Sequence, residues 1–268
     1  MKRILLTNDD GIYSAGLLAL YKKIRSLGEV TVVAPDAERS AQGHAITLSV
    51  PLRVNEVRRA ALPCPVKGQD KGKLFGYAIS GTPADCVKIA LMSIMKNKKP
   101  DLIISGLNRG PNLGINVLYS GTVSGATEGA ILGVPSFAVS LASFKWENFQ
   151  AAVDFSHKLA KMMLDKKLPI NTLLNVNVPA LPKSKIKGVR ITRQGMSTFY
   201  KEDYDRREDP NRRVYYWLCS YKAAVSGDEL VDAVAVRDGH ISITPLHYDM
   251  TDYKDLEILS DAGKRLFK

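Results

Sequence analysis

Short apolar runs alternate along this chain with longer stretches whose apolar residues recur at intervals of three and four. The short runs are typical of buried strands, whereas the longer spacing is typical of helices with one apolar face. The predicted strands are residues 3–7, 30–34, 101–105, 136–141 and 172–178. The predicted helices are residues 14–27, 82–95, 122–132 and 147–166. Repeated strand–helix–strand units predict an α/β fold with a mostly parallel sheet and helices on both faces.

Three stretches between these units follow the pattern less closely. Residues 45–50 and 52–57 look like two short strands, and residues 58–74 are predicted to be a surface loop because they carry Arg, Lys, Gly and Pro. Residues 106–121 are rich in Gly, Asn and Pro and are predicted to be a long loop. At Thr82, a capping residue followed by a proline indicates a helix start.

The last third of the chain is organised differently from the first part. Residues 188–193, 213–221 and 240–245 look like strands with no helix between them. The polar stretch 201–212 is predicted to be the tip of a hairpin, and residues 255–267 a terminal helix. We therefore expect a core over residues 1–180 and a β-rich arm over residues 181–268.

Composition limits the class of protein. The 268 residues are 45% apolar and 24% charged, which is ordinary for a globular protein and argues against a disordered chain or a small disulfide scaffold. Cys64, Cys86 and Cys219 are scattered, which suits a reducing compartment. No apolar run is long enough for a membrane helix or a signal peptide, so we expect a cytoplasmic protein with no membrane partner.

The chain carries a formal net charge of +11, which creates a field that attracts anions. The basic residues are dispersed and form no known nucleic-acid motif, which argues against nucleic acid as a partner. A phosphorylated small molecule would account for the same charge, and so would an ordinary lysine-rich surface.

Polar residues follow three of the predicted strands. Asn8, Asp9 and Asp10 come after the first strand, Ser40 lies after the second, and Asn108 follows the strand at 101–105. Because ligands bind outside the carboxyl ends of parallel strands, these loops should converge on one edge. The set is all oxygen, which suits Mg²⁺ or Mn²⁺. The alternative is that Asn8 and Asp9 only form an Asx turn before the following helix.

A second polar segment precedes the helix at 122–132. Ser120 or Thr122 can cap that helix, and its free N–H groups beside Gly121 would bind an anion such as a phosphate. The alternative is an ordinary helix cap. Gly43 and His44 are further candidates for polar contacts.

Six blocks of sequence, in order, carry a resemblance to a known family. They are residues 4–11 (ILLTNDDG), 33–40 (VAPDAERS), 80–87 (SGTPADCV), 105–114 (SGLNRGPNLG), 119–123 (YSGTV) and 241–246 (ISITPL). On these blocks the chain resembles the SurE survival-protein family of metal-dependent nucleotide phosphatases. Residues 58–74 look longer and more basic than the family's usual connection, which leaves the rim of the site and the substrate choice open.

The resemblance implies a Rossmann-like three-layer core, with one divalent cation, Mg²⁺ or Mn²⁺, held by Asp9, Asp10, Ser40 and Asn108. It also implies a hairpin arm at about 190–225, a terminal helix exchanged with a partner, and a homodimer or homotetramer. The expected reaction is hydrolysis of a nucleoside 5′- or 3′-monophosphate by a metal-activated water, with Asp9 and Asp10 as catalytic residues. The candidate phosphate and substrate contacts are Asn8, Gly43, His44, Ser105, Gly106, Asn112, Ser120, Gly121 and Thr122.

Two alternatives to this mechanism remain open from the sequence. Asp9 could act as a nucleophile and form an aspartyl-phosphate, because one carboxylate at the end of the first strand permits that chemistry. The same groups could also serve a nucleotide-binding regulatory module that has no turnover.

Overall fold

A nine-stranded sheet runs through the computed structural model, which describes residues 1–63, 72–145, 148–166, 173–196, 200–222, 225 and 227–266. The strands are β1 (Arg3–Thr7), β2 (Glu29–Pro35), β3 (Val54–Arg58), β4 (Leu74–Ile79), β5 (Leu102–Arg109), β6 (Ser136–Leu141), β7 (Leu173–Val178), β8 (Val189–Ile191), β9 (Tyr200–Glu208), β10 (Val214–Lys222) and β11 (Ile241–Leu246). The helices are α1 (Ala15–Ile24), α2 (Pro83–Ile89), α3 (Gly121–Ile131), α4 (Gln150–Leu164), α5 (Asp232–Arg237) and α6 (Tyr253–Leu266).

The strand order of the large sheet is β3-β4-β2-β1-β5-β6-β7-β11-β8. All neighbouring pairs are parallel except β3 with β4 and β11 with β7. The six central strands follow the Rossmann order, in which the chain leaves β1 in opposite directions through β2 and β5. The expected α/β fold is therefore confirmed, and its switch point lies between β1 and β5, where such folds bind ligands.

Helices cover both faces of this sheet. Ile4 and Leu6 of β1 belong to the apolar core under α1 and α4, whereas Leu5 belongs to the core under α2. Successive side chains of a strand point to opposite faces, so a strand buried on both sides must be apolar throughout. That requirement explains why the first apolar run could be recognised as a central strand.

The structure corrects the prediction for residues 45–57. Residues 45–50 form no strand, and of the second predicted strand only the part from Val54 onward is β3. The missing hydrogen bonds are made elsewhere: Thr82 Oγ1 donates to the carbonyl of Ala45 at 2.7 Å, and Thr47 N and Oγ1 donate to Asp85. This segment is held by the capped start of α2 instead of by a neighbouring strand.

The predicted loops were also too long. Residues 74–79, at and just beyond the end of the predicted 58–74 loop, form β4. Strand β5 continues through Asn108 to Arg109, although a loop was predicted from residue 106. Pairing of β5 with β6 shifts register between Ser105 and Asn108, so a bulge carries the strand onward. Residues 64–71 of the predicted 58–74 loop, Cys64 included, lie outside the described residues.

The C-terminal part contributes both to the sheet and to a separate hairpin. Strands β8 and β11 extend the large sheet, while β9 and β10 pair only with each other. The predicted hairpin exists, but residues 201–208 of its predicted tip belong to β9, so the turn is confined to residues 209–213. Helix α5 was not predicted. Among the described residues, no helix is both long and apolar enough to cross a membrane.

Candidate active site

Asp9 lies where the carboxyl end of β1 meets the first turn of α3. Thr122 Oγ1 donates a hydrogen bond of 2.6 Å to Asp9 Oδ1, and the backbone N–H of Arg39 donates to the Asp9 carbonyl at 2.8 Å. A Cβ atom at Gly121 would lie 2.8 Å from Asp9 Cβ, so only glycine permits this approach. The structure thus brings together the segments after β1 and β2, which were predicted to converge, and the start of α3, which was predicted as a separate polar segment. The third predicted loop reaches the site through the backbone of Arg109, which hydrogen-bonds to Asp10.

The start of α3 is capped by Ser120, whose side chain accepts a hydrogen bond from the N–H of Val123 at 3.1 Å. This confirms the predicted cap. The helix has 11 residues, and its N-terminus therefore carries a positive partial charge beside the Asp9 carboxylate. Two of the first three N–H groups of α3 are already engaged, because the N–H of Thr122 donates to Asp9 and that of Val123 to Ser120. A phosphate at this end would therefore meet the N–H of Gly121 and a favourable dipole.

Asp9 and Asp10 form a strained acidic pair. Asp9 is 4% exposed, and burial raises its pKa despite the hydrogen bond from Thr122. Burial, the Asp9 carboxylate and the Glu38 carboxylate together raise the pKa of Asp10 to about 7. Like charges this close disfavour double ionisation, and a bound cation removes that penalty.

The donor set fits a hard divalent cation. Asn8 Oδ1, in the residue that precedes the two aspartates, is buried without a hydrogen-bond partner. Within the part of the chain that the structure describes, no three His, Cys, Asp or Glu side chains are grouped to hold a metal ion. Two carboxylates with amide and hydroxyl oxygens are, however, a ligand set that Mg²⁺ and Mn²⁺ accept, since these ions keep several waters.

The two other predicted ligands differ in their surroundings. Asn108 is 9% exposed, and its Nδ2 donates to the Gly110 carbonyl at 2.8 Å, which fixes the orientation of the amide. Ser40 is exposed, and its Oγ donates to Glu38 Oε1 at 2.7 Å. The amide of Asn108 is held in one orientation, whereas the exposed Ser40 hydroxyl donates its hydrogen to Glu38 and keeps oxygen lone pairs that can bind a metal ion.

Asn8 and Asn112 are engaged in structural contacts. Asn8 Nδ2 donates to the Gly11 carbonyl and to Ser14 Oγ, and Ser14 is the residue that caps α1. The alternative of an Asx turn at Asn8 would need Asn8 Oδ1 to accept a backbone hydrogen bond, and that oxygen has no hydrogen-bond partner. Asn112 Nδ2 donates to Ser140 Oγ at 2.8 Å. Both side chains hold neighbouring segments of the chain in place through these hydrogen bonds. Their contact with substrate stays a prediction.

Ser105 and Gly106 lie at the centre of the switch point. Ser105 is fully buried, its hydroxyl has no hydrogen-bond partner, and a Cβ at Gly125 of α3 would approach it to 2.8 Å. Gly106 has φ +132°, and a Cβ there would lie 2.4 Å from the Val139 carbonyl. The close packing of β5 against α3 and β6 gives these two residues a structural role here, and their contact with substrate stays a prediction.

The segment with Gly43 and His44 is tied to α3. Gly43 N–H donates to the Tyr119 carbonyl at 3.0 Å, and His44 Nε2 lies 2.8 Å from Glu128 Oε2. Lys88 Nζ lies 2.6 Å from the other oxygen of Glu128. His44 therefore contacts a buried carboxylate of α3, and its predicted contact with phosphate stays untested by this geometry.

Known proteins of one family are similar to this chain over most of its length. The model of the family described as "Survival protein SurE" matches residues 4–201. The chain belongs to the SurE family. The 5′-nucleotidase SurE of Syntrophobacter fumaroxidans is 47% identical over 257 residues, covering 96% of this chain and 98% of that protein. The 5′-nucleotidase SurE of Natranaerobius thermophilus is 45% identical over 263 residues, covering 97% and 98%.

A solved structure extends the likeness to three dimensions. The crystal structure of the SurE protein from Aquifex aeolicus superposes with a TM-score of 0.80 at 40% identity, covering 97% of this chain and 99% of that one. The resemblance predicted from six blocks of sequence is therefore confirmed over nearly the whole length.

Sequence reasoning missed several residues that shape this SurE site. Glu38 adds negative charge beside the two aspartates, and Glu128 holds the segment that contains His44. Asn175 and Asn177 of β7 both donate to the Asn112 carbonyl. Polar residues in a strand buried throughout were the one available signal, since Asn175 and Asn177 are fully buried in β7.

Proposed function

We propose that this protein is a divalent-metal-dependent phosphatase that hydrolyses nucleoside 5′-monophosphates to nucleoside and phosphate. Its SurE relatives are named 5′-nucleotidases, and the chain is accordingly a hydrolase of phosphoric monoesters. The observation that carries the finer proposal is the Asp9–Asp10 pair, in which Asp9 is buried against the first turn of α3 and Asp10 is half-buried. A negative pair beside an anion-binding helix end calls for a cation that joins the two.

The proposed ligands are Asp9, Asp10, Asn108 and Ser40, and the cation is Mg²⁺ or Mn²⁺. When bound, such an ion neutralises phosphate charge and lowers the pKa of a coordinated water. The fixed amide of Asn108 and the hydrogen bond from Thr122 to Asp9 reduce the reorganisation that binding requires.

The protein's own groups supply the remaining chemistry. Asp9 is held on one oxygen by Thr122, which suits a fixed ligand. Asp10 is less buried than Asp9, so it is the better placed of the two carboxylates to orient the attacking water and accept its proton. The N–H of Gly121 and the positive end of the α3 dipole would stabilise the outer oxygens of the phosphoryl group as charge spreads over them.

Phosphate release from a panel of nucleoside 5′- and 3′-monophosphates tests this proposal. The panel is measured with Mn²⁺, with Mg²⁺ and with EDTA. We expect release with either metal, none in EDTA, and loss of turnover in Asp9→Ala. Asp165→Asn, which changes an exposed acid at the end of α4, is the matched control and should keep full activity.

Two outcomes would contradict the proposal. Full activity in folded Asp9→Ala would remove Asp9 from the mechanism. Nucleotide binding without phosphate release, in protein shown to be folded, would favour the regulatory module. Hydroxylamine added to enzyme quenched during turnover separates the two hydrolytic routes, because only an aspartyl-phosphate reacts with it to leave a hydroxamate on the protein.

We also propose that the protein assembles as a homodimer or homotetramer through the hairpin and α6. Tyr204, Tyr216 and Leu218 lie on one face of the hairpin and are each more than half exposed, and Leu256 and Leu259 of α6 are exposed as well. Exposed apolar residues in this number are typical of a contact surface. Light scattering measures the mass directly, and a monomer at all concentrations would contradict assembly.

A further inference from the structure

Both backbone groups of Gly114 are held by residues of the C-terminal part of the chain. The N–H of Gly114 donates to Asp232 Oδ2 at 2.8 Å, and its carbonyl accepts a hydrogen bond of 3.0 Å from Gln194 Nε2. Gly114 has φ +58°, in the left-handed region that favours glycine. It ends the segment of residues 110–114, here called the site loop, which follows β5 and whose Gly110 carbonyl accepts the hydrogen bond from the proposed metal ligand Asn108.

The Asp232 carboxylate accepts hydrogen bonds from the site loop, from the chain before the hairpin and from the start of its own helix, α5. Besides Gly114, its other oxygen Oδ1 accepts from Gly195 N at 3.1 Å and from Ala233 N at 2.7 Å. The side chain is fully buried at the start of α5, and a Cβ at Gly195 would lie 3.7 Å from the Gly114 Cα. A buried carboxylate is costly unless its oxygens are hydrogen-bonded, and here the bonds come from the site loop and from the chain that leads into the hairpin.

The neighbouring residues of the site loop are fixed in the same manner. Leu113 is fully buried in an apolar cluster with Val231 and Val234 of the α5 region. Asn112 N–H donates to Asn177 Oδ1 at 2.8 Å, and its carbonyl accepts from the amides of Asn175 and Asn177. Residues 112–114 therefore keep their positions through contacts with β7 and α5, and the loop has no conformational freedom at this end.

We propose that Asp232 and Gln194 are positioning residues for the metal site: by holding Gly114 they fix the site loop and so the amide of Asn108. Neither residue touches the proposed substrate, and both act through the loop. This inference rests on the proposed function, because Asn108 matters only if it binds the cation. Partners behind metal ligands typically change metal affinity or activity by about 10- to 100-fold when they are removed.

The chemistry of Asp232 makes one substitution informative. A carboxylate accepts at both oxygens, whereas a carboxamide accepts at one end and donates at the other. In Asp232→Asn an NH₂ group must therefore face either Gly114 N–H or the pair of N–H groups from Gly195 and Ala233. Gln194→Ala removes the second contact to Gly114 from a half-buried position and leaves the Asp232 carboxylate in place.

The test measures Mn²⁺ binding without substrate, by electron paramagnetic resonance of the free ion, and the Mn²⁺ dependence of phosphate release from a nucleoside 5′-monophosphate. Asp228→Asn and Gln150→Ala are the matched controls. Asp228 is exposed, lies four residues before Asp232 and contacts Arg193, while Gln150 is exposed on α4 and contacts Asp154. The thermal midpoint of the metal-free protein is recorded for each variant.

We expect both loop variants to weaken Mn²⁺ binding by about tenfold or more, and excess Mn²⁺ to restore much of the lost activity. In Gln194→Ala the metal-free Tm should stay within about 3 °C of the wild type, which separates positioning from general stability. If Asp232→Asn does not fold, Gln194→Ala decides alone, since it acts on the same glycine.

The outcomes separate this inference from the proposed function. Wild-type protein that binds and uses Mn²⁺, with loop variants that match the controls, would overturn the positioning role only. Wild-type protein that binds no Mn²⁺ would contradict both. A lower Tm with unchanged Mn²⁺ affinity would show that Asp232 and Gln194 stabilise the fold without positioning the site.

Discussion

The switch point between β1 and β5 is buried, whereas the hairpin of β9 and β10 is exposed. At the switch point Asp9, Thr122 and Ser105 are almost fully buried, and segments more than 100 residues apart are in hydrogen-bond contact. In the hairpin, Tyr204 and Tyr216 are exposed, and the strands pair only with each other. The first region is packed from distant segments of one chain and leaves buried oxygens such as Ser105 Oγ without a hydrogen-bond partner, whereas the second exposes its apolar side chains.

Substitutions in these two regions should therefore affect function and assembly separately. Changes at the switch point should reach the chemistry because there is no room for adjustment. Substitutions in the hairpin should change only the oligomeric state, because β9 and β10 pair only with each other and not with the large sheet.

The largest effect is expected from Gly121→Ala. The added methyl group would lie 2.8 Å from Asp9 Cβ and 3.0 Å from its Oδ2, so either α3 or the carboxylate must move. We expect phosphate release to fall by about 100-fold, since a displacement near 1 Å has that cost in a fixed site. Overpacking should also lower the free energy of unfolding by about 1–3 kcal/mol.

Gly72→Ala is the control for this variant, because no atom lies within 4 Å of a Cβ at that position. Activity assays and urea unfolding measure the two effects. Unchanged activity in Gly121→Ala would show that the site is more compliant than the packing around Asp9 indicates.

An intermediate effect is expected from Glu128→Gln, which leaves His44 and Lys88 without their carboxylate. Burial alone would raise the pKa of Glu128, but hydrogen bonds from His44 and Lys88 outweigh it and lower the pKa below its ordinary value of 4.5. The charged form is thus preferred in the folded state. We expect the variant to lose about 1–3 kcal/mol of unfolding free energy at neutral pH.

The pH dependence follows from the sign of that shift. Stability from a lowered carboxyl pKa is present above the unfolded-state value and is lost as the pH falls through the folded-state value. The gap between wild type and Glu128→Gln should stay constant from pH 7 to about pH 5 and narrow below pH 4.5. Glu56→Gln, an exposed acid paired with Arg58, is the control, and a similar loss there would argue against a special role for burial.

The smallest effect on the protomer is expected from the paired substitution Tyr216→Lys and Leu218→Lys. Both side chains are exposed on one face of β10, so unfolding free energy should change by less than about 0.5 kcal/mol. Two charges on an apolar contact surface should nevertheless lower the particle mass seen by light scattering. Asp205→Asn, on the opposite face, is the control, and the proposed interface is wrong if the mass is unchanged in the double variant.

The sequence was sufficient for the features that depend on local pattern. Strand β1 is followed by Asn8, Asp9 and Asp10. Because ligands bind at the carboxyl ends of parallel strands, the sequence alone predicts these residues at the binding edge of the sheet. Thr82 and Asp85 predicted the start of α2 through the capping box that the structure contains.

Features that depend on tertiary contact could not be predicted. Gly76 lies within β4, although glycine is uncommon inside strands. A Cβ at this position would lie 2.4 Å from the Val32 carbonyl, so the packing requires glycine. The continuation of β5 through Asn108 depends on pairing with β6 across a bulge. The contact of His44 with Glu128 joins residues 84 positions apart, and no spacing rule connects them.

The measurement that most directly tests the central claim is a titration of free Mn²⁺ against phosphate release from a nucleoside 5′-monophosphate, for wild type and Asp10→Asn. We predict no release by the wild type in EDTA, saturable release with Mn²⁺, and a loss in the variant that added Mn²⁺ does not fully restore. Phosphate release by the wild type that persists in EDTA, or an Asp10→Asn titration identical to that of the wild type, would contradict a cation held by the Asp9–Asp10 pair.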